Sequence, residues 1–96
     1  MQNFTFLLPL YNDWESFIMI ANKINKQLKI LNKKGQILLV NDNSTSRKPE
    51  LPILSNIKFV NILDLNKNLG SQKAISIGLQ YLKKQKDEMI ITILDS

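Results

Sequence analysis

The sequence predicts an α/β fold in which helices flank a parallel, Rossmann-like sheet. Short apolar runs alternate with longer amphipathic stretches in the order βαβ, loop, βαβ. The run at 36–41, QILLVN, lacks the apolar and polar alternation of a strand with one solvated face, as a strand covered on both faces would. Polar stretches rich in Asn, Gly and Pro separate these runs and mark the turns.

The first strand and the start of the first helix are predicted from residues 4 to 15. Residues 4–8, FTFLL, are β-prone, and Pro9 marks the end of the strand because proline cannot donate to a ladder. Asn12 is then placed as an N-cap with Glu15 three residues later, an Asn version of the capping box. A helix therefore begins here.

The body of this helix is predicted from apolar residues at three- and four-residue steps. They run to about residue 32 and are Trp14, Phe17, Ile18, Ala21, Ile24, Leu28 and Leu31. Lys34 and Gly35 close the helix with the expected C-terminal glycine. The buried strand at 36–41 follows.

The second half of the chain repeats the pattern without repeating the sequence. Residues 42–57 form a polar loop with two prolines, and residues 58–63 supply a third strand. A second helix is predicted from Ser71, and residues 89–94 form the fourth strand, an exposed hydrophobic edge. One side of the second helix carries Ala74, Ile75, Gly78, Leu79 and Leu82. We expect residues 1–96 to form a single α/β unit.

The predicted topology places a ligand crevice at one edge of the sheet. Right-handed crossovers, with the fourth strand beside the first, produce the strand order 3-2-1-4. In such sheets ligands bind where the winding direction reverses, outside the carboxyl ends of strands one and four. Four polar clusters converge on that edge, at residues 9–13, 41–45, 66–73 and 95–96.

Each cluster also has a purely structural explanation. Asp42 could hold a turn, and Asn12 and Asp13 could only cap a helix. Gly70 and Gly78 could serve backbone turning and close packing, and Lys73 could be solvated. A purely structural explanation is harder to give for Asp95. A carboxylate at the end of a buried strand costs free energy unless a cation or a hydrogen-bond donor contacts it.

Composition excludes several kinds of chemistry. The chain has no Cys and no His, which excludes disulfides, thiol nucleophiles, zinc sites with the usual ligands and an imidazole base. The formal net charge is +5. The lysines cluster on helix faces and ends, where solvation explains them, and an anionic membrane surface or nucleic acid is the alternative. No aromatic residues interleave them to stack bases, so we expect no nucleic-acid partner.

The expected location is cytoplasmic, with the inner face of the membrane as the alternative. No stretch approaches the ~18 consecutive apolar residues of a transmembrane helix. The first residues, MQNFTF, lack the basic start and the cleavage site of a secretory signal.

Four motifs, in order, resemble the opening half of family 2 glycosyltransferases. They are "LLPLYNDWESF", "ILLVNDNSTS", "NKNLGSQKAISIGLQYL" and "IITILDS". The family patterns are "VxVPxYNE", "VxxVDDGSxD", "NxGxxxAxxxG" and a hydrophobic strand that closes with Asp-x-Asp. The "NLGSQKA" stretch is similar to polyprenyl-phosphate sugar transferases. The resemblance implies a GT-A fold, transfer from a nucleotide-diphosphate sugar and a role in cell-envelope glycan synthesis.

The first two motifs imply contacts with the nucleotide. Pro9, Tyr11 and Asp13 match the "PxYNE" segment that lines the nucleotide, with Asp13 in place of the usual Glu. Asp42 matches the second Asp of "DDGS", which in the family accepts a hydrogen bond from the base. Asn41 stands in place of the first Asp, and it retains hydrogen bonding without the charge.

The last two motifs imply contacts with the diphosphate and with a metal ion. Gly70 and Lys73 match the loop and helix start near the diphosphate, where backbone amides and a cation suit anionic oxygens. Asp95 matches the first Asp of Asp-x-Asp and would bear on the ribose and on Mg²⁺ or Mn²⁺. The metal would neutralise the leaving nucleotide diphosphate, and the sugar would be displaced with inversion.

The resemblance implies that residues 1–96 form the donor-nucleotide part of a larger catalytic domain. The donor would be a UDP- or GDP-sugar, and the acceptor a lipid-linked or other glycan substrate. The family's general base is expected downstream, so no catalytic residue is assigned here and the 96 residues alone are expected to be inactive. The alternatives are a stand-alone nucleotide-binding module or inactive remnant, and an unrelated α/β regulatory or interaction domain.

Overall fold

The computed structural model describes residues 3–85 and 87–95, and the motif residue Ser96 lies outside that part of the chain. The elements are β1 (Asn3–Leu10), α1 (Trp14–Ile30), β2 (Gly35–Asn41), β3 (Ile57–Asp64), α2 (Ser71–Lys83) and β4 (Met89–Ile93). All three strand pairings are parallel, and the strand order is β3-β2-β1-β4. The predicted α/β fold class and the order 3-2-1-4 are confirmed.

The core consists of two apolar layers, one on each face of the sheet. Successive strand residues point to opposite faces, so Leu8 packs with α1 residues while Leu7 packs with α2 residues. Four consecutive residues of β2, Ile37 to Val40, are all at most 3% exposed. The absence of alternation in QILLVN therefore reflects a strand covered on both faces, as predicted.

β1 continues through Pro9 to Leu10, so the prediction that Pro9 ends the strand is wrong. The carbonyl of Leu7 accepts from the amide of Leu94 on the β4 side, and the carbonyl of Leu10 accepts from the amide of Asp42 on the β2 side. The amide position of Pro9 shares the β4 side with Leu7, beyond the last β1–β4 pair, Leu7 with Ile93. Proline is tolerated because no strand pairs with β1 on the β4 side at this position, while β2 pairs with the other side through Val40.

Both predicted boundaries of α1 are shifted. The N-cap is Asp13, not Asn12, and its Oδ1 accepts from the amide of Ser16 at 3.1 Å. At the other end Asn32, with φ of 53°, takes the left-handed position. The amides of Asn32 and Lys33 donate to the carbonyls of Lys29 and Leu28 respectively, which is a Schellman arrangement. Gly35 therefore does not cap the helix and instead begins β2.

β4 is an edge strand whose side chains are only partly covered. Ile90 is 42% exposed and Ile93 is 43% exposed. Asp95 follows the strand and is itself exposed. β4 is thus the exposed edge strand that the sequence predicts for residues 89–94, and the description of Asp95 as following a buried strand is wrong, because no strand lies on the outer side of β4 in the described residues.

Neither helix of the described ranges, 3–85 and 87–95, is long and apolar enough to cross a membrane.

Candidate functional site

A cleft of about 280 Å³ opens at the carboxyl ends of β1 and β4. Its walls come from the end of β1, the first turns of α1, the residue after β2, the start of α2 and the residues after β4. They are Leu8, Pro9, Leu10, Tyr11, Asp13, Ser16, Phe17, Ile20, Asp42, Ser71, Leu94 and Asp95. The cleft lies where the winding of the sheet reverses, which is the place the topology predicts for a ligand.

The cleft brings together most of the site residues predicted from the sequence. Pro9, Tyr11, Asp13, Asp42 and Asp95 all line it, although they come from three separate segments of the chain. Gly70 and Lys73 are not among its lining residues. Ser71 does line the cleft, directly after Gly70 and two residues before Lys73.

Asp42 has the most constrained side chain of the cleft. It is 3% exposed. Its Oδ1 accepts from the amide of Leu69 at 2.8 Å, and its Oδ2 accepts from the amide of Gly70 at 2.8 Å and from Asn68 Nδ2 at 3.1 Å. Asn68 Nδ2 also donates to the Asp42 carbonyl at 3.1 Å. One buried carboxylate thus joins the end of β2 to the loop that starts α2.

Asn12 joins two other loops at the same edge of the sheet. Its Oδ1 accepts from the amides of Thr45 and Ser46 at 2.7 and 2.9 Å, and its own amide donates to Ser44 Oγ at 2.9 Å. Asn12 adopts a φ of 64°, which asparagine tolerates better than most residues. Sequence reasoning singled out Asn12 as a cap but missed this tether, since the 44–46 loop is 32 or more residues away.

Replacing Asn12 with alanine is expected to lower the free energy of unfolding by about 1–2 kcal/mol, because the loop amides lose their acceptor. Asn32→Ala is the matched control, since Asn32 also has a positive φ but caps α1. Chemical denaturation measures the free energy of unfolding of both variants. Both replace an Asn with a positive φ, so a larger loss for Asn12→Ala reports the hydrogen bonds of Asn12 to the 44–46 loop. An equal loss in the two variants would mean that the Asn12 tether contributes nothing.

Asp13 and Tyr11 differ in how freely they can meet a ligand. Hydrogen bonds from the side chain and backbone of Ser16 hold the pKa of the Asp13 carboxyl below its usual value, so the group stays ionised as an N-cap. The amide of Ser16 donates to Oδ1 of this carboxylate. Tyr11 is 49% exposed beside it, so its ring is open to solvent at the mouth of the cleft.

The start of α2 is suited to an anion, whereas the start of α1 is not. α1 begins with the Asp13 cap and has Glu15 in its first turn. α2 begins after Gly70, which has a φ of 93° and no capping side chain, and its first turn holds no acid. Lys73 is exposed in that first turn. Unsatisfied amides and a nearby cation are what a phosphate group needs at a helix N-terminus.

The acidic residues of the cleft do not form a resident metal site by themselves. Asp13, Asp42 and Asp95 line the cleft, yet no three acids of residues 3–85 and 87–95 lie close enough to hold a metal ion together. Asp42 is bonded through both oxygens, while Asp95 is exposed. Mg²⁺ usually takes one or two protein carboxylates together with substrate phosphates. The donor set therefore fits an ion that arrives with a diphosphate.

Several residues of this region were not predicted as functional from the sequence. Ser16 and Ser71 line the cleft, and Asn68 and the Leu69 amide bind Asp42. The stretch NKNLGS held the only signal for the last two, because Asn and Gly at that spacing indicate a turn. That these donors bind the carboxylate of Asp42 is determined by the fold and not by the local sequence.

Curated proteins similar to this chain are sugar transferases. The undecaprenyl-phosphate 4-deoxy-4-formamido-L-arabinose transferases of Salmonella choleraesuis (strain SC-B67), Salmonella paratyphi B and Salmonella newport are each 29% identical to it over 91 residues. The match covers 91% of this chain and 27% of each relative, so the chain spans about a quarter of their length. No protein-family model matches the chain, and no solved structure matches it significantly. The similarity supports a glycosyltransferase-like family, in agreement with the four sequence motifs.

Proposed function

We propose that the cleft binds the nucleotide diphosphate of a sugar donor, as part of a glycosyltransferase that acts on a polyprenyl-phosphate acceptor. One observation carries the proposal: a single cleft joins exposed carboxylates to an uncapped helix N-terminus at the reversal point of a parallel sheet. The names of the similar transferases support the acceptor class. The proposal includes the GT-A domain type and a position at the inner face of the membrane.

The diphosphate is assigned to the start of α2. The amides of the first turn after Gly70 lack intrahelical partners, and the dipole of α2 favours negative charge at this end. Lys73 places a positive charge in this first turn. The dipole of a helix alone favours an acidic residue there, so a lysine suits an anionic ligand better than it suits the helix by itself. Ser71, which lines the cleft, connects this helix start to the rest of the site.

The nucleoside is assigned to the opposite wall. Tyr11 is exposed enough for its ring to contact a base or ribose, and Pro9 adds an apolar surface to the same cleft. Asp13 is assigned to a ribose hydroxyl because its carboxylate is ionised and exposed beside Tyr11. Both walls are within the one cleft.

Asp95 is the residue that would hold Mg²⁺ or Mn²⁺, together with the oxygens of the diphosphate. The ion, when bound, neutralises charge that develops on the leaving nucleotide diphosphate during an inverting displacement. Asp95 suits this task because it is exposed at the mouth of the cleft and has a hard oxygen donor set. We assign no catalytic base to this chain.

Titration of the protein with UDP and GDP, with and without magnesium, tests the proposal. We expect metal-dependent binding by calorimetry, and a loss of about tenfold in affinity for Lys73→Gln because a charge contact with the diphosphate is removed. Asp95→Asn should remove the magnesium dependence and leave the metal-free affinity in place. The matched controls are Lys83→Gln and Asp87→Asn, which change exposed residues outside the cleft.

The outcomes separate the proposal from its two alternatives. Folded protein that binds neither nucleotide would contradict the proposal and favour an unrelated α/β interaction domain. Binding without any sugar transfer, even when polyprenyl phosphate is supplied, agrees with a donor-binding part or a stand-alone nucleotide module. Multiple turnovers by the 96 residues alone would overturn the expectation that this chain lacks a catalytic base.

A further inference from the structure

Every polar group of Asn12 makes a hydrogen bond with the 44–46 loop. The side-chain Oδ1 accepts from the amides of Thr45 and Ser46 at 2.7 and 2.9 Å, and Nδ2 donates to Thr45 Oγ1 at 3.2 Å. The backbone amide donates to Ser44 Oγ at 2.9 Å, and the backbone carbonyl accepts from Ser46 Oγ at 3.1 Å. One residue thus joins the loop after β1 to the loop after β2.

Asn12 lies between the two polar residues of the proposed nucleoside wall. Tyr11 and Asp13 line the cleft, whereas Asn12 is not among its lining residues. The amide of Asp13 donates to the carbonyl of Tyr11 at 2.8 Å, so the chain turns tightly at Asn12, which has a φ of 64°. A positive φ costs free energy in a residue with a side chain, and it persists where surrounding contacts hold it. The bonds to the 44–46 loop are contacts of this kind.

Resting on the proposed function, we infer that Asn12 is a positioning residue for the nucleoside half of the donor site. Its bonds to the loop hold the turn, and the turn determines the directions in which Tyr11 and Asp13 leave the backbone. Without these bonds the two side chains sample other directions, and ordering them on binding of a nucleoside costs free energy. The start of α2, to which the diphosphate is assigned, is held separately through Asp42.

Inorganic pyrophosphate is the probe that separates the two halves of the site, because it has two phosphates and no nucleoside. Pyrophosphate and the nucleotide, which is whichever of UDP and GDP the wild type binds more tightly, are titrated into wild type and Asn12→Gly at one magnesium and salt concentration. Glycine adopts a positive φ without strain, so the variant removes the side-chain bonds and still permits the turn. We expect the nucleotide affinity to fall about tenfold and the pyrophosphate affinity to stay within about twofold of wild type. Equal losses for the two ligands, or an unchanged nucleotide affinity, would overturn the inference.

Asn12→Asp is the conservative variant that should restore the contact. Its carboxylate can accept from the amides of Thr45 and Ser46 as the amide oxygen of Asn12 does, and aspartate also tolerates a positive φ. Because the added negative charge weakens both anionic ligands, the quantity to compare is the ratio of nucleotide affinity to pyrophosphate affinity. We expect the wild-type ratio in Asn12→Asp and a ratio about tenfold lower in Asn12→Gly. A ratio lowered equally in both variants would contradict a role for the acceptor bonds.

Asn32→Gly is the control for loss of an asparagine with a positive φ. Asn32 has a φ of 53° and lies beyond the carboxyl end of α1, outside the cleft. We expect this variant to keep the wild-type ratio of affinities. A ratio lowered as much as in Asn12→Gly would mean that any local destabilisation weakens nucleoside binding, and it would overturn the inference.

Ser44→Ala tests the same contact without altering Asn12, and it decides the question should Asn12→Gly fail to fold. This variant removes the acceptor of the Asn12 amide. We expect the nucleotide affinity to fall about threefold with pyrophosphate bound as by wild type, and an unchanged nucleotide affinity would count against positioning. Ser55→Ala is the matched control, because the exposed Ser55 hydroxyl donates only to the adjacent Asn56 Oδ1.

Binding by the wild type distinguishes this inference from the proposed function. Wild type that binds pyrophosphate as tightly as either nucleotide would overturn the inference alone, because the nucleoside would then gain no affinity from Tyr11 and Asp13. Wild type that binds none of these ligands would remove both. Tighter binding of a nucleotide than of pyrophosphate, with the ratio lowered in Asn12→Gly, supports both.

Discussion

Asp42→Ala is expected to lower the free energy of unfolding by about 2–6 kcal/mol, because the amides of Leu69 and Gly70 lose their acceptors at about 1–3 kcal/mol each. The free energy of unfolding of a small domain is about 5–15 kcal/mol, so this loss is a large fraction of the total stability. The loss arises from donors left without partners, since the alanine side chain itself fits the space. Urea denaturation followed by circular dichroism measures it.

Asp87→Ala is the matched control for this measurement. Asp87 is exposed, so its removal should change the free energy of unfolding by no more than about 0.5 kcal/mol. If Asp42→Ala were no more destabilising than the control, the 68–70 segment would not depend on the carboxylate.

Gly78→Leu is expected to destabilise the protein by about 1–2 kcal/mol. A Cβ at position 78 would lie 2.6 Å from Leu7 Cδ1 and 3.0 Å from Val40 Cγ2. Leu7 and Val40 are both fully buried, so neither can move away without disturbing the core between α2 and the sheet. Overpacking of this kind costs about 1–3 kcal/mol, occasionally more. The better helix propensity of leucine, about 0.8–1 kcal/mol, offsets only part of it.

Ser76→Leu adds the same side chain to the exposed face of α2 and serves as the control. Its free energy of unfolding should stay within about 0.5 kcal/mol of wild type. A comparison of melting temperatures for the two leucine variants isolates the contact with the sheet. Equal melting temperatures would contradict the close approach of α2 to β1 and β2 at position 78.

The alternation of strands and helices, the parallel sheet and its strand order were predictable from local patterns. Apolar periodicity located α1 and α2, and an apolar run without alternation identified β2 as buried on both faces. Helix and strand ends were less predictable. Pro9 lies within β1, and α1 is capped by Asp13, since each boundary depends on which neighbouring group supplies or lacks a hydrogen-bond partner.

The site was predictable as a set of residues but not as a set of bonds. Parallel strands bring their carboxyl ends to one edge, so the sequence by itself determined that Pro9, Tyr11, Asp13, Asp42 and Asp95 would meet there.

Only the tertiary structure decided what each of these side chains does. It assigned the Asp42 carboxylate to amides 27 and 28 positions away, and it left Asp95 exposed at an edge strand. Side-chain chemistry limits the hydrogen bonds that a residue can make. Each bond also needs a partner at about 2.9 Å. For these residues the partner comes from a distant segment, which lies close only in the folded chain.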